Sequence, residues 1–187
     1  MNKGDQQVLI ELARNTLKCY FKDEDPDTSD CSHLTQLRGC FVTLRKGRAL
    51  RGCIGFPKPI MPLYEQIIAA TKAAAFEDPR FEPLDESDLG SIDIEISVLT
   101  RPELVKAESQ DDYLENIKIG RDGIILQFNQ YSGLLLPQVA LEFHYNVIQF
   151  LEAVCLKAGV AKDSWKKKDA KIFKFRAEIF SEKDFER

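Results

Sequence analysis

Leu37-Arg38-Gly39-Cys40-Phe41-Val42-Thr43-Leu44-Arg45-Lys46-Gly47-Arg48-Ala49-Leu50-Arg51-Gly52-Cys53-Ile54-Gly55 contains the tetrapeptide Leu-Arg-Gly-Cys twice, thirteen residues apart. An apolar, partly β-branched run climbs to Lys46-Gly47 and a second run returns from it, which is the pattern of a β-hairpin. Two registers are open. If Lys46-Gly47 is a two-residue turn, Val42 faces Arg51 and Cys40 faces Cys53, a non-hydrogen-bonded pair with Cα atoms about 4.5 Å apart. If Gly47 lies in a three-residue bulged turn, Cys40 faces Gly52. In the first register Cys40, Val42, Leu44, Ala49, Arg51 and Cys53 share one face, and Phe41, Thr43, Leu50 and Ile54 share the other. Arg51 then lies among apolar groups and thiols. It requires a partner there, because an unpaired buried charge is strongly destabilising. Glu77, Asp78 and Glu95 are the carboxylates expected to supply it.

Working outward, Val8, Leu9, Leu12, Leu17, Tyr20 and Phe21 recur at helical spacing and predict a helix over Asp5–Lys22. Leu63–Phe76 is a second helix, rich in alanine and so suited to close packing on a sheet. It stops at Glu77-Asp78-Pro79, since proline disfavours helical geometry at the residue before it. Ile92, Ile94, Ile96 and Val98 alternate with Asp93, Glu95, Ser97 and Leu99, which predicts a strand over Ser91–Leu99. A short helix over Ser109–Asn116 follows. Ile117–Gly120 and Ile124–Phe128 read as a second hairpin turning at Arg121-Asp122-Gly123. Tyr131–Leu136 extends that sheet to Pro137. Asn146 caps a helix over Val147–Lys157 that Gly159 ends. Lys171–Phe180 reads as one final strand. Helices and strands alternate, but two connections are hairpins, so the expected class is α+β with antiparallel sheet.

The 187 residues suit one domain, residues 1–187, and 44% hydrophobic content is enough for a core at that length. A formal net charge of -4 provides no overall basic field for nucleic acid or an anionic membrane. Lys166-Lys167-Lys168 beside Trp165 reads as a solvated loop. No apolar segment reaches bilayer length. Five cysteines, an odd number, with no apolar signal at Met1–Asp5, point to reduced thiols in the cytoplasm.

The residues that carry chemistry cluster in few places. Cys53 beside Arg51 is a candidate nucleophile, since a cation lowers a thiol pKa. His33 and His144 fall in no cysteine-hydrolase pattern. There is no Cys-x-x-Cys or His-x-x-x-His spacing, so neither metal nor other cofactor is expected. Glu77 and Glu95 are candidates for proton transfer. Arg51 and Arg80, with Asp78, are candidates for holding an anion. Gly52 and Gly55 would let backbone N–H groups approach an oxyanion. Gln138 follows an apolar strand, where a buried amide must bond to backbone or ligand.

Leu50-Arg51-Gly52-Cys53-Ile54-Gly55 resembles the six-residue hallmark of the AMMECR domain family, named after the Alport syndrome, mental retardation, midface hypoplasia and elliptocytosis chromosomal region. Gly39–Leu44, Glu77–Phe81, Ile94–Thr100, Ile119–Gly123, Ser132–Ala140, Cys155–Gly159 and Phe175–Glu178 are also similar to that family, in order. The resemblance implies an α+β protein of two unequal lobes, each with an antiparallel sheet flanked by helices, and the hallmark 50–55 at a cleft between them. The family has no established reaction. The resemblance also implies Memo-type and radical S-adenosylmethionine proteins as partners. Two functions are therefore expected: an enzyme, or enzyme accessory subunit, handling a small anionic ligand in the cleft, or a non-catalytic scaffold module for partner proteins.

Overall fold

Cys40, Val42 and Leu44, alternating with Phe41, Thr43 and Arg45, make a strand whose one face is wholly apolar, and the fold grows from it. In the computed structural model, which describes residues 1–185, the elements in chain order are α1 (Lys3–Tyr20), β1 (Cys40–Lys46), β2 (Ala49–Phe56), α2 (Leu63–Phe76), β3 (Ile92–Leu99), β4 (Glu103–Leu104), α3 (Gln110–Asn116), β5 (Gly123–Phe128), β6 (Tyr131–Leu135), α4 (Pro137–Glu142), α5 (Val147–Lys157), β7 (Lys171–Phe175) and β8 (Ala177–Ser181). They form two four-stranded sheets, ordered β2-β1-β3-β8 and β4-β7-β5-β6. The class is α+β with antiparallel sheets, as the hairpins predict. Two compact units result: residues 1–99 with the segment from Glu178 onward, and Thr100–Ala177.

In the first unit, Cys40, Val42 and Leu44 on β1 face Val98, Ile96 and Ile94 on β3, and all six are fully buried. Leu9, Leu12, Ala13 and Leu17 of α1 and Leu63, Ile67, Ala70 and Ala74 of α2 cover this face. Removing one such side chain in a Leu→Ala change costs about 2–5 kcal/mol. Asn2 caps α1 by accepting from the Asp5 N–H at 2.8 Å.

The hairpin takes neither expected register. Its turn is Gly47-Arg48, with Gly47 at φ +60, so Lys46 faces Ala49. A bulge then falls between Leu44 and Arg45: Arg45 faces Leu50, Leu44 faces Gly52, and Arg51 is the extra residue. Beyond it Thr43 faces Cys53 and Cys40 faces Phe56. Relative to the two-residue-turn register, in which Cys40 faces Cys53, the shift is an odd number of residues, which puts Cys53 on the opposite face of the sheet from Cys40.

In the second unit, Ile124, Leu126 and Ile172 of the sheet pack with Phe150, Leu151, Val154 and Cys155 of α5 and with Trp165. Asn146 and Gln149 form a reciprocal cap on α5, each bond 2.9 Å. Two expectations fail here. β5 pairs with β6, not with Ile117–Gly120, which is a turn closed by the Asp122 carboxylate on the Lys118 N–H at 2.9 Å. The final strand is broken at Arg176, so β7 and β8 belong to different sheets.

Candidate functional site

β2 is the outer strand of its sheet, so alternate residues along it offer main-chain groups that no strand pairs. At Cys53 both groups are taken up by side chains. Its N–H donates to Asp78 Oδ2 at 2.9 Å, and its carbonyl accepts from Arg80 Nη2 at 3.2 Å. The two partners come from the turn that ends α2. Asp78-Pro79-Arg80-Phe81 closes with Phe81 N–H on Asp78 C=O at 3.1 Å, and aspartate first with proline second is what such a turn favours. Within it Arg80 forks onto the carboxylate, Nε to Oδ1 at 2.9 Å and Nη2 to Oδ2 at 2.7 Å. Asp78 is only 4% exposed. The Arg80 guanidinium holds its carboxyl at about 2; burial opposes this, and the Cys53 and Arg80 N–H groups reinforce it.

Because both main-chain groups of Cys53 point outward, Cys53 and Thr43 form a non-hydrogen-bonded pair with adjacent side chains. The Thr43 hydroxyl donates to Cys53 Sγ at 3.3 Å. Across β1 Thr43 faces Glu95, and Phe41 faces both Gly55 and Ser97. The sheet face opposite the α1/α2 core thus carries Cys53, Thr43 and Glu95 in one row and Gly55, Phe41 and Ser97 in the next. Thr43 and Ser97 are buried and Cys53 and Glu95 half-buried. The Ser97 hydroxyl, in a side chain 1% exposed, has no hydrogen-bond partner among the described residues. Neither has the Glu95 carboxylate, which makes no ion pair among them either.

Burial pushes the Cys53 thiol above its ordinary value. The Thr43 hydroxyl and Arg80 pull it down, and Asp78 and Glu95 push it up. Cys40, on the core face, is fully buried, and its thiol is pushed up to about 12. The five cysteines are all free thiols.

The remaining candidates are placed as follows. Arg51, the bulge residue, donates from Nη1 to the Glu82 carbonyl at 2.7 Å and from Nη2 to the Pro83 carbonyl at 3.2 Å. Its partners are therefore main-chain oxygens, not the carboxylates expected. A Cβ on Gly52 would lie 2.0 Å from the Ala74 carbonyl oxygen, and one on Gly55 would lie 2.2 Å from that of Cys40. Close packing of main chain requires both glycines. Glu77 ends α2, is exposed, and makes no side-chain bond among the described residues. Gln138 belongs to the second unit, in the first turn of α4, and its buried Oε1 has no partner among the described residues. Thr43 and Ser97 were not among the expected site residues; the period-two alternation of β1 and β3 already puts them on Glu95's face. Among the described residues no three His, Cys, Asp or Glu side chains are grouped as a metal site requires, and no helix is long and apolar enough to cross a membrane.

Residues 10–180 match the family model described as AMMECR1. The chain belongs to the AMMECR1 family. AMMECR1-type relatives include a protein of Methanococcus aeolicus, 44% identical over 179 residues that cover 94% of this chain and 90% of the relative. Protein MJ0810 of Methanocaldococcus jannaschii is 50% identical over 147 residues, 78% of this chain and 73% of that one. The crystal structure of uncharacterized protein PH0010 from Pyrococcus horikoshii superposes with a TM-score of 0.86 at 41% identity, covering 93% of this chain and 89% of that one. In this AMMECR1 chain the hexapeptide Leu50–Gly55 lies wholly within the sheet's edge strand.

Proposed function

We propose that the chain handles a small anionic substrate on the polar face of its first sheet, as an enzyme or as an enzyme's accessory subunit. One observation supports this above others. A carboxylate (Glu95) and a buried hydroxyl (Ser97), both without a partner among the described residues, share one sheet face with the Thr43 hydroxyl and the Cys53 thiol, and Arg80 stands at its edge. Buried polar groups in native proteins are normally bonded, and an exception calls for a partner from outside the chain, such as a ligand, an ion or a water. In this reading Arg80 attracts the anion, Ser97 and Thr43 orient it, and Glu95 moves a proton. Cys53, its thiol raised by burial, is protonated at neutral pH and is a packing and hydrogen-bonding group in preference to a nucleophile. Arg51, Gly52 and Gly55 shape the strand, and Asp78 positions Arg80. The free thiols favour a cytoplasmic setting.

A thermal-shift screen of small carboxylates and phosphates on wild type, Glu95→Gln and Ser97→Ala tests the reading. A hit must raise the wild-type melting temperature, because a ligand selective for the folded state stabilises it. The hit must weaken in both variants; equal shifts in all three proteins defeat the proposal.

A second reading is a non-catalytic module that docks a Memo-type or radical S-adenosylmethionine protein. It is favoured by the close main-chain packing at Gly52 and Gly55, which gives the hexapeptide a structural purpose without any ligand. It predicts binding of such a partner that Glu95→Gln and Ser97→Ala leave unchanged.

A further inference from the structure

The Arg121-Asp122-Gly123 stretch belongs to the second unit. There it forms one wall of a cavity of about 250 Å³ bounded by Thr100, Arg101, Glu103, Arg121, Asp122, Lys174, Phe175 and Arg176. Four cations and two carboxylates line this small space. We propose that it is a binding site for a phosphate group, carried by a phosphate monoester or by inorganic phosphate.

The site is built from beneath. Asp122 is 2% exposed and grips Arg121 by two parallel bonds of 2.8 Å, Nε to Oδ1 and Nη2 to Oδ2. Arg176 Nε stands 3.8 Å from the same Oδ1. One buried carboxylate thus fixes one guanidinium by two bonds and draws a second to within 3.8 Å. Burial opposes its ionisation, yet Arg121 and the Lys118 N–H keep its carboxyl below the usual range. With Nε and one Nη2 hydrogen committed, Arg121 retains its outer N–H groups for another acceptor. Arg101 makes no ion pair among the described residues; Lys174 donates to the Asn116 carbonyl at 3.1 Å and adds its charge to those that favour ionised Asp122. Thr100 Oγ1 accepts from the Arg176 N–H at 2.8 Å, which leaves the hydroxyl proton free to donate. The floor is equally constrained. Gly123 faces Phe175, and a Cβ on Gly123 would lie 2.4 Å from that ring.

Four cations around one cavity repel each other, and the two carboxylates leave the lining with a surplus of two positive charges. A dianion removes that surplus. Arginine forks and a hydroxyl donor match the oxygens of a phosphate group. The volume is below the roughly 300–1,000 Å³ of pockets that enclose drug-sized ligands, so the recognised part is the phosphate and not a whole nucleotide.

The test is isothermal titration calorimetry on the full chain with inorganic phosphate, phenyl phosphate and succinate, each at ionic strength matched with chloride. The variants are Arg101→Ala/Lys174→Met, which breaks no ion pair among the described residues, and Asp122→Asn, in which the arginines lose their anchor. Circular dichroism confirms that each variant is folded. Saturable phosphate binding is expected, at least tenfold weaker in the double variant. Tighter phenyl phosphate than inorganic phosphate assigns an ester, and the reverse assigns the free ion. Binding of equal strength in wild type and double variant overturns the proposal, as do tighter succinate and the absence of saturable heat in the millimolar range. Should Asp122→Asn not fold, the double variant alone decides. Phosphate binding lost in Glu95→Gln but kept in the double variant would move the site to the first sheet and also overturn it.

Discussion

Replacing Asp78 by asparagine removes the charge that holds Arg80 and, through the Cys53 N–H, fastens the turn after α2 to the open edge of β2. The cost can be worked from the carboxyl's own titration. Its value falls from 3.8 to about 2 on folding, chiefly through the Arg80 bonds. At about 1.4 kcal/mol per unit, the ionised group contributes about 2 kcal/mol at neutral pH. A depressed carboxylate is stabilising above its unfolded value, and that contribution is lost as pH falls through the folded value. Near pH 3 the contribution has dropped to roughly half, and below about pH 2 it is nearly gone. Urea unfolding of wild type and Asp78→Asn, followed by far-ultraviolet circular dichroism, should therefore show a gap of about 2 kcal/mol at pH 7 that narrows steadily with acid. Trp165 belongs to the second unit, so its fluorescence is the wrong probe for this edge. A gap under about 0.5 kcal/mol at pH 7, or one that does not change down to pH 3, refutes the account of Asp78 as the edge's anchor.

Gly52→Ala should destabilise the chain by about 2–3 kcal/mol in the same unfolding assay, because the added methyl meets the α2 main chain, which cannot yield as a side chain would; a loss under about 0.5 kcal/mol counts against the close approach. Iodoacetamide should leave Cys40 unmodified in the folded protein and react with Cys53 more slowly than with free cysteine at the same pH, measured by peptide mass spectrometry; a fast Cys53 reaction would revive it as a nucleophile. Asn146→Ala should lower stability by about 0.5–2 kcal/mol through loss of the α5 cap, with a matching drop in melting temperature.

Much of the fold is legible where one period rules. Leu63–Phe76 has its predicted form because it buries one continuous face, and β3 because Ile92, Ile94, Ile96 and Val98 are all buried on one side. The hairpin defeats the same reasoning, because the register depends on a turn displaced to Gly47-Arg48 and on a bulge at Arg51, neither of which disturbs the apolar pattern. The break at Arg176 is hidden for a similar reason: apolar alternation runs on through Phe173, Phe175 and Ala177 while the strand changes sheets. In the site, proline after Asp78 marks the turn that brings Arg80 back to Cys53. The partners of Arg51 were not readable, since main-chain carbonyls at Glu82 and Pro83 carry no sequence signature.

The place of β8 has a consequence for how the protein is made. It lies next to β3 in the first sheet, yet the whole of Thr100–Arg176 is translated between them. At about 5–20 residues per second, the ribosome takes on the order of ten seconds to span that gap. Throughout it the β3 flank that β8 later covers stays bare, a ready template for unwanted pairing with another nascent chain. Swift folding of the inserted unit shortens no part of this wait, so holding by chaperones, or slow translation limited to the stretch after Ala177, would govern yield in recombinant expression.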